Sequence, residues 1–267
     1  METEQLIPAI VNWLTDYADN NGIQKLVVGV SGGIDSAVVE RLCERTGKKV
    51  IAVAMPMAYE QDSCPGSLQR AIELANGKEN VMFVVKPIGK IVQAYREEAI
   101  GSVPDDDTKA KLLQGNLRSR IRANILYDYA GMYGGIVIGT GNKDEDEIGY
   151  CTKGGDGLVD LCPLSLVHKS QVREMAAHPY IAVPQSTIDA IPSAGLWDGQ
   201  TDEQELGMTY DEIEWALKSL EYDTFSTDAP TERQQEVVAK VTRMRVANSH
   251  KLRYPPVFDP KAPESYE

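Results

Sequence analysis

The sequence predicts an α/β fold, a doubly wound parallel sheet flanked by helices. Three observations carry that expectation. Short β-rich runs alternate with helical patterns through the first half, the runs are apolar throughout, and a glycine turn joins the first of them directly to a helix. Strands separated by helices imply right-handed crossovers and parallel pairing, and strands without polar alternation are covered on both faces. Glu4–Tyr17 opens the order with helical apolar spacing (Leu6, Ile7, Ile10, Val11, Leu14), and Lys25–Val30 reads as a buried strand. Ser36–Arg45 is helical and stops before Gly47, a residue suited to closing a helix. Strand Val50–Met55, helix Ser63–Ala75, strand Val81–Val85 and helix Ile88–Ile100 follow, then a long helix Lys109–Tyr133 and strand Ile136–Thr140. Asp105–Asp107 reads as a solvated cap, with Thr108 starting that long helix.

After Thr140 the texture changes. Gly141–Gly157 is rich in glycine and charge and reads as a long loop. Lys169–Ala177, Thr209–Leu220 and Thr231–Asn248 read as helices, and Leu252–Glu267 as a proline-spotted tail. That half holds too few strands for a second sheet, so it is expected to decorate the first within one domain over residues 1–267, helical and loop-rich from about 141.

Composition narrows the function classes. Of 267 residues, 42% are apolar and 25% charged, values of an ordinary globular chain with enough length for a sizeable core. Forty acids against 27 bases give a net charge of -13, which disfavours a nucleic-acid surface because that requires a basic field. The longest apolar stretches, such as Val50–Met57, fall far below the ~20 residues that span a membrane. The acidic start Met1-Glu-Thr-Glu-Gln shows no export pattern, and Cys43, Cys64, Cys151 and Cys162 form no C-x-x-C pair; reduced thiols and a cytoplasmic setting are expected.

The strongest motif is Ser31-Gly32-Gly33-Ile34-Asp35-Ser36, which follows the strand Leu26-Val-Val-Gly29-Val30 and opens a helix. Gly32 and Gly33 permit positive φ and a close backbone approach by an anion. Ser31, Ser36 and the free amides of the helix start can cradle phosphate oxygens, with the helix dipole helping. No G-x-x-x-x-G-K-[ST] pattern occurs, and Asp35 stands where an anion site would not want it. A carboxylate there makes sense if it holds Mg²⁺ on the phosphates. The alternative is a plain glycine turn capped by Asp35 and Ser36.

This loop resembles the pyrophosphate loop of N-type ATP pyrophosphatases, which cleave ATP between the α and β phosphates and adenylate an oxygen that a nitrogen or sulfur nucleophile later displaces. Two later segments resemble the NAD synthetases within that superfamily: Gly139-Thr-Gly-Asn-Lys-Asp-Glu145 … Gly149-Tyr-Cys-Thr-Lys153-Gly-Gly-Asp156-Gly-Leu-Val-Asp160-Leu-Cys-Pro163-Leu, and Pro192-Ser-Ala-Gly-Leu-Trp197 … Gln200-Thr-Asp-Glu203 … Glu205-Leu-Gly207 … Tyr210-Asp211. With Asn116 … Arg120-Ile-Arg122 between, the resemblance spans nearly the whole chain. It implies an adenine nucleotide alpha hydrolase-like fold and, in a chain too short to include a glutaminase domain, the ammonia-dependent reaction. The nicotinate carboxylate of deamido-NAD attacks the ATP α-phosphorus, and ammonia then displaces AMP to give NAD. A homodimer joined through its long helices is implied as well; a separate glutaminase partner is left open.

The resemblance further implies residue roles. Gly29, Val30, Ser31, Gly32, Gly33, Ile34 and Ser36, together with Thr140, Lys169 and Ser193, would contact ATP. Asp35 and Glu145 would hold Mg²⁺, with Asp35 and Lys169 central to catalysis, and Arg120, Lys153, Asp160, His250 and Lys251 would meet deamido-NAD. Relatives in the family carry a small hydroxyl residue at 144 and apolar residues at 146 and 147. Here Asp144, Asp146 and Glu147 surround Glu145, leaving open which carboxylate binds metal and suggesting tighter binding or a second ion. Gly154 replaces an aromatic stacking surface.

The residues give partial independent support. At ~100° per residue, Arg120 falls within about 20° of Leu113, on the side of Asn116, Asn124 and Tyr127, whereas Arg118 and Arg122 point about 140–180° away. Arg120 is therefore expected to flank a buried face and to need an anion, with Arg118 and Arg122 as solvated charges. His168, His178, Trp197 and Trp215 read as structural. Rival readings are a ligase amidating nicotinate mononucleotide, a tRNA thiolation or lysidine enzyme, which would want a basic surface or paired cysteines, and a non-catalytic nucleotide sensor.

Overall fold

In a computed structural model, residues 2–58, 66–100, 107–193, 199, 201–222 and 230–258 are described. Four strands, β1 (Lys25–Gly29), β2 (Lys49–Ala54), β3 (Val81–Val85) and β4 (Ile136–Ile138), form one parallel sheet in the order β3-β2-β1-β4. Val27 stands level with Ile51 on one side and Val137 on the other, which places β1 in the middle. Leu161 adds a single parallel bridge beyond Ile138.

The continuous apolar strands are explained by two cores. Successive side chains point to opposite faces of a sheet. Leu26, Val28, Val50, Ala52 and Ile138 enter one core with α1 (Thr3–Asn20), α2 (Ile34–Arg45) and α7 (Lys169–Ala177), while Val27, Ile51, Val53 and Val137 enter another with α5 (Asp107–Tyr133). Both faces are covered, as expected. α3 (Ser67–Ala75) and α4 (Gly89–Tyr95), which runs into a π-helical turn Arg96–Ile100, complete the crossovers.

The segment read as a long loop contains a helix, α6 (Lys143–Ile148), because Asn142 and Glu145 make a reciprocal capping box that nucleates a short acidic turn. Two short helices also went unread, α8 (Gln185–Ile188) and α9 (Asp202–Leu206). α10 (Tyr210–Tyr222) and α11 (Glu232–Asn248) pack with α6 around Ile148, Met208, Ile213, Leu217, Val237 and Val241, a third core away from the sheet, with Trp215 packed against it. Cys64, Asp105, Asp106, Trp197 and the tail beyond residue 258 lie outside the described residues. Among the described residues no helix is long and apolar enough to cross a membrane.

One buried group gives the fold a pH signature. Glu40 in α2 is 0% exposed, and its Oε1 has no hydrogen-bond partner among the described residues. Burial pushes its carboxyl up to about 7, with Arg41, 3.4 Å away, only partly opposing this. The folded state therefore keeps a proton that the unfolded chain releases, and stability falls as pH rises from about 4.5 to about 7, by roughly 3 kcal/mol. Glu40→Gln is expected to be more stable than the parent by about 2–3 kcal/mol at pH 8, with the difference vanishing near pH 4.5 in urea titrations.

Candidate active site

The Ser31–Ser36 loop leaves the carboxyl end of the central strand, where parallel sheets place their ligands. Its shape is fixed by its own hydroxyls. Ser36 Oγ accepts the Ser31 amide at 3.2 Å and donates to the Gly33 carbonyl at 3.0 Å, and Ser31 Oγ accepts the Gly33 amide at 3.2 Å. Gly32 has φ +78°, and its carbonyl accepts Arg70 Nε at 2.8 Å. Gly33 takes the N-cap position of α2 without a side-chain cap, so the first amides of α2 face the loop's concavity.

Asp35 lies in the first turn of α2, and its two oxygens reach separate elements. Oδ1 accepts Asn142 Nδ2 at 2.9 Å, and Oδ2 meets Lys169 Nζ at 2.5 Å. Lys169, first residue of α7 and 2% exposed, also sits 3.6 Å from Glu145 Oε1 and over the Tyr210 ring, 4.5 Å from its centroid. One ammonium thus lies between two carboxylates that come from positions 35 and 145. Burial alone would pull the Lys169 pKa down, but Asp35 and Glu145 more than offset it and hold the ammonium charged. Burial pushes the Glu145 carboxyl up, opposed by Lys169 and reinforced by Asp35 and Asp202.

The acidic run separates cleanly. Glu145 faces Asp35, accepting the Asn142 amide at 3.4 Å and Tyr210 OH at 2.9 Å. Asp144 turns into the interior toward His168, Asp146 bonds Ser165, and Glu147 pairs with Arg245 at 2.8 Å. The helical spacing of α6 sends these neighbours to other faces, which corrects the expectation of a pooled acidic site or a second ion beside Glu145. Two carboxylates with hard oxygen donors, Asp35 and Glu145, remain at the loop, a donor set that fits Mg²⁺. Behind them Tyr210 OH also donates to Asp202 at 2.8 Å, and Tyr150 OH to Glu205 at 2.7 Å. Sequence reasoning missed Asn142, Asp202 and Tyr210 as site-forming residues. Asn142 stands in the Gly-Thr-Gly-Asn stretch, whose spacing before Glu145 is the capping-box signal.

The residues expected at the second substrate divide into two groups. Arg120 Nε donates to the Lys153 carbonyl at 3.2 Å, Lys153 Nζ to the His250 carbonyl at 3.1 Å, and Lys251 Nζ to the Gly149 and Cys151 carbonyls at 2.8 and 3.0 Å. Arg120, Lys153 and Lys251 thus gather three cations along the 149–153 segment, with His250 joined to them through its backbone carbonyl. Asp160 lies apart, with Oδ2 accepting the Val137 amide at 2.7 Å and Oδ1 facing Tyr127 OH at 3.3 Å. Thr140 follows β4, and both Thr140 and Ser193 are half-buried.

The helical-wheel expectation for Arg120 is corrected. Arg120 is exposed, while Arg118 and Arg122 are half-buried, and Arg122 Nε donates to the Met55 carbonyl at 3.2 Å. Leu113, the apolar residue that anchored the Arg120 sector, is 50% exposed. α5 is covered on several sides, by the sheet at Leu117 and Ile121 and by the 152–156 segment at Ser119, so a single apolar stripe misplaced its buried face.

Comparison with known proteins agrees with this architecture. The model of the NAD synthase family matches residues 6–255. The NH(3)-dependent NAD(+) synthetase of Methanococcoides burtonii is 40% identical over 222 residues, 82% of this chain and 81% of that one. Among solved structures, the NMN synthetase from Francisella tularensis superposes with a TM-score of 0.83 at 33% identity, covering 98% of this chain and 100% of that one. The NH3-dependent NAD synthetase from Campylobacter jejuni does so with 0.77 at 25% identity, covering 97% and 100%. With the Ser31–Ser36 loop on the central strand, the Asp35–Lys169–Glu145 cluster at its mouth and the family match over residues 6–255, the chain belongs to the NAD synthase family.

Proposed function

We propose that the protein amidates deamido-NAD with ammonia, at the expense of ATP, to give NAD, AMP and pyrophosphate. The observation that carries this reading is the placement of Lys169 between Asp35 and Glu145 at the mouth of the Ser31–Ser36 loop, in a chain of the NAD synthase family. The nicotinate oxygen forms a bond to the α-phosphorus as the bond to the β-phosphate oxygen breaks. Ammonia then attacks the acyl carbon, AMP departs, and the nitrogen loses a proton.

Catalysis of this kind is largely positioning and charge neutralisation. The loop amides of Gly32–Ser36 and the hydroxyls of Ser31 and Ser36 bind the phosphates, with Gly29, Val30, Thr140 and Ser193 lining the nucleotide. Lys169 offsets the charge that grows on the departing pyrophosphate. Asp35 and Glu145 would hold Mg²⁺, which supplies further neutralisation of that charge when bound. Arg120, Lys153 and Lys251 offer cations to the dinucleotide substrate, deamido-NAD, with His250 and Asp160 beside it. The unit spans residues 1–267, works in the cytoplasm and assembles as a homodimer through α5.

Nicotinate mononucleotide is the second acceptor to test, because one structural neighbour is an NMN synthetase from Francisella tularensis, while the relatives named NH(3)-dependent NAD(+) synthetases favour deamido-NAD. Purified protein with Mg-ATP and ammonium should release pyrophosphate and NAD with deamido-NAD as acceptor. At equal concentrations it should prefer deamido-NAD over nicotinate mononucleotide. The reverse preference moves the substrate and keeps the chemistry; silence with both acceptors overturns the reading.

A further inference from the structure

Asp144 is 0% exposed and is turned away from the loop that its neighbour Glu145 faces. Its Oδ2 accepts the backbone amide of Lys169 at 2.7 Å, and its Oδ1 lies 2.6 Å from His168 Nδ1. The carboxylate therefore caps α7 at its first residue. The imidazole is buried, and a nitrogen of His168 and carboxylate oxygens of Asp144 and Glu214 all lie within 4.8 Å of one another. Glu214 in α10 is held in turn by Ser170 Oγ at 3.0 Å and Lys218 Nζ at 2.6 Å. Three helices, α6, α7 and α10, thus meet at one histidine. Burial would raise the Glu214 pKa, but the bonds from Lys218 and Ser170 outweigh it.

We propose that Asp144, His168 and Glu214 form a positioning strut that fixes the Lys169 ammonium against Asp35 and Glu145. The proposal rests on the reading of Lys169 and Glu145 as ATP-site residues. Asp144 and His168 touch no reacting group, so they are positioning residues. Each is the chain neighbour of the group it places, Asp144 of Glu145 and His168 of Lys169. A bond between the two neighbours sets the separation of the two site residues. Both oxygens of Asp144 are taken, one by the ring and one by the Lys169 amide, so the strut fixes the start of α7 in translation and in rotation. A slip of about 1 Å in such a group is enough to cost on the order of 10²-fold in rate.

Two amide substitutions at 168 separate positioning from simple packing. Asn carries its N–H as many bonds from Cα as His carries Nδ1, so His168→Asn keeps the donor to Asp144. Gln carries it where His has Nε2, so His168→Gln loses that donor and keeps the reach toward Glu214. His168→Asn is expected to retain kcat within about 3-fold, and His168→Gln to lose about 10-fold or more in kcat, with KM for ATP changed by less than about 3-fold in both. Asp144→Asn, which leaves the imidazole without a charged acceptor, should fall about 10-fold as well. Equal loss in the two position-168 variants, or loss that follows their melting temperatures, overturns the strut. The parent enzyme on deamido-NAD is the control for the reaction itself. If the parent is silent, the reaction reading fails, and hydrogen exchange at the Lys169 backbone amide, which Asp144 Oδ2 accepts at 2.7 Å, decides the strut: about 10-fold faster in His168→Gln and unchanged in His168→Asn supports it, and equal exchange overturns it.

Discussion

Lys169→Met is expected to lower kcat by on the order of 10²–10³-fold, the usual scale for removing one preorganised charge-stabilising donor. Methionine keeps most of the apolar stem and its packing on Tyr210 but leaves Asp35 and Glu145 facing each other without the cation between them. Breaking a buried pair by deleting one partner costs about 3–5 kcal/mol, because the surviving charges are left uncompensated. Asp35 and Glu145 side chains retain 17% and 19% exposure, which places the expected loss at the lower end, about 3 kcal/mol in urea at pH 7 without added metal. Part of that loss should return on adding Mg²⁺, since a divalent ion between the carboxylates replaces the missing charge. Steady-state kinetics and paired denaturation curves check both halves. A variant within 3-fold of the parent in kcat would remove Lys169 from the reaction.

Gly32→Ala should be nearly as damaging, through the backbone. A Cβ on Gly32 would stand 2.1 Å from the Ser67 carbonyl oxygen, at φ +78°. Left-handed backbone costs an L-residue about 1–2 kcal/mol before any clash. The clash is with backbone of α3, so the loop itself must move, taking the first amides of α2 with it. A rise of about 10-fold or more in KM for ATP is expected, together with about 2 kcal/mol of lost stability, which at this chain length lowers the melting temperature by roughly 4–8 °C. Gly33→Ala is the matched control. Its φ of -91° is ordinary, and a Cβ there meets only Ser31 Oγ, at 3.3 Å. It should melt within about 2 °C of the parent. If the two substitutions behave alike, the left-handed turn at Gly32 is not what shapes the loop.

Much of the frame was legible because burial on both faces leaves a plain mark. Leu26–Val28 and Val50–Ala54 must be apolar at every position when alternate side chains enter different cores. The Ser-Gly-Gly-x-Asp-Ser loop was legible for a similar reason, since few residues tolerate the close approach that Gly32 makes to Ser67. The acidic run was misread because composition carries no direction. Four consecutive acids look like a solvated loop, yet a capping box turns them into a helix whose side chains separate toward Asp35, His168, Ser165 and Arg245. Arg120 was misplaced because a helix covered on several sides has no single apolar stripe to read. The Tyr210 and Asp202 contacts depend on where α9 and α10 dock, which local pattern does not record.

The separations along the chain at the Ser31–Ser36 loop give the site a place in time. Lys169 meets Asp35 across 134 residues, Asn142 meets Asp35 across 107, and Tyr210 meets Glu145 across 65. During synthesis the glycine loop emerges early, but the groups that complete it, Asn142, Glu145, Lys169 and Tyr210, arrive only with the second half of the polypeptide. A nascent or truncated chain can hold a sheet and a loop without holding the completed cluster, which closes only after translation has passed its midpoint. Long-range closures of this kind are also the slow ones, and competence to spend ATP is therefore among the last properties the folding chain acquires.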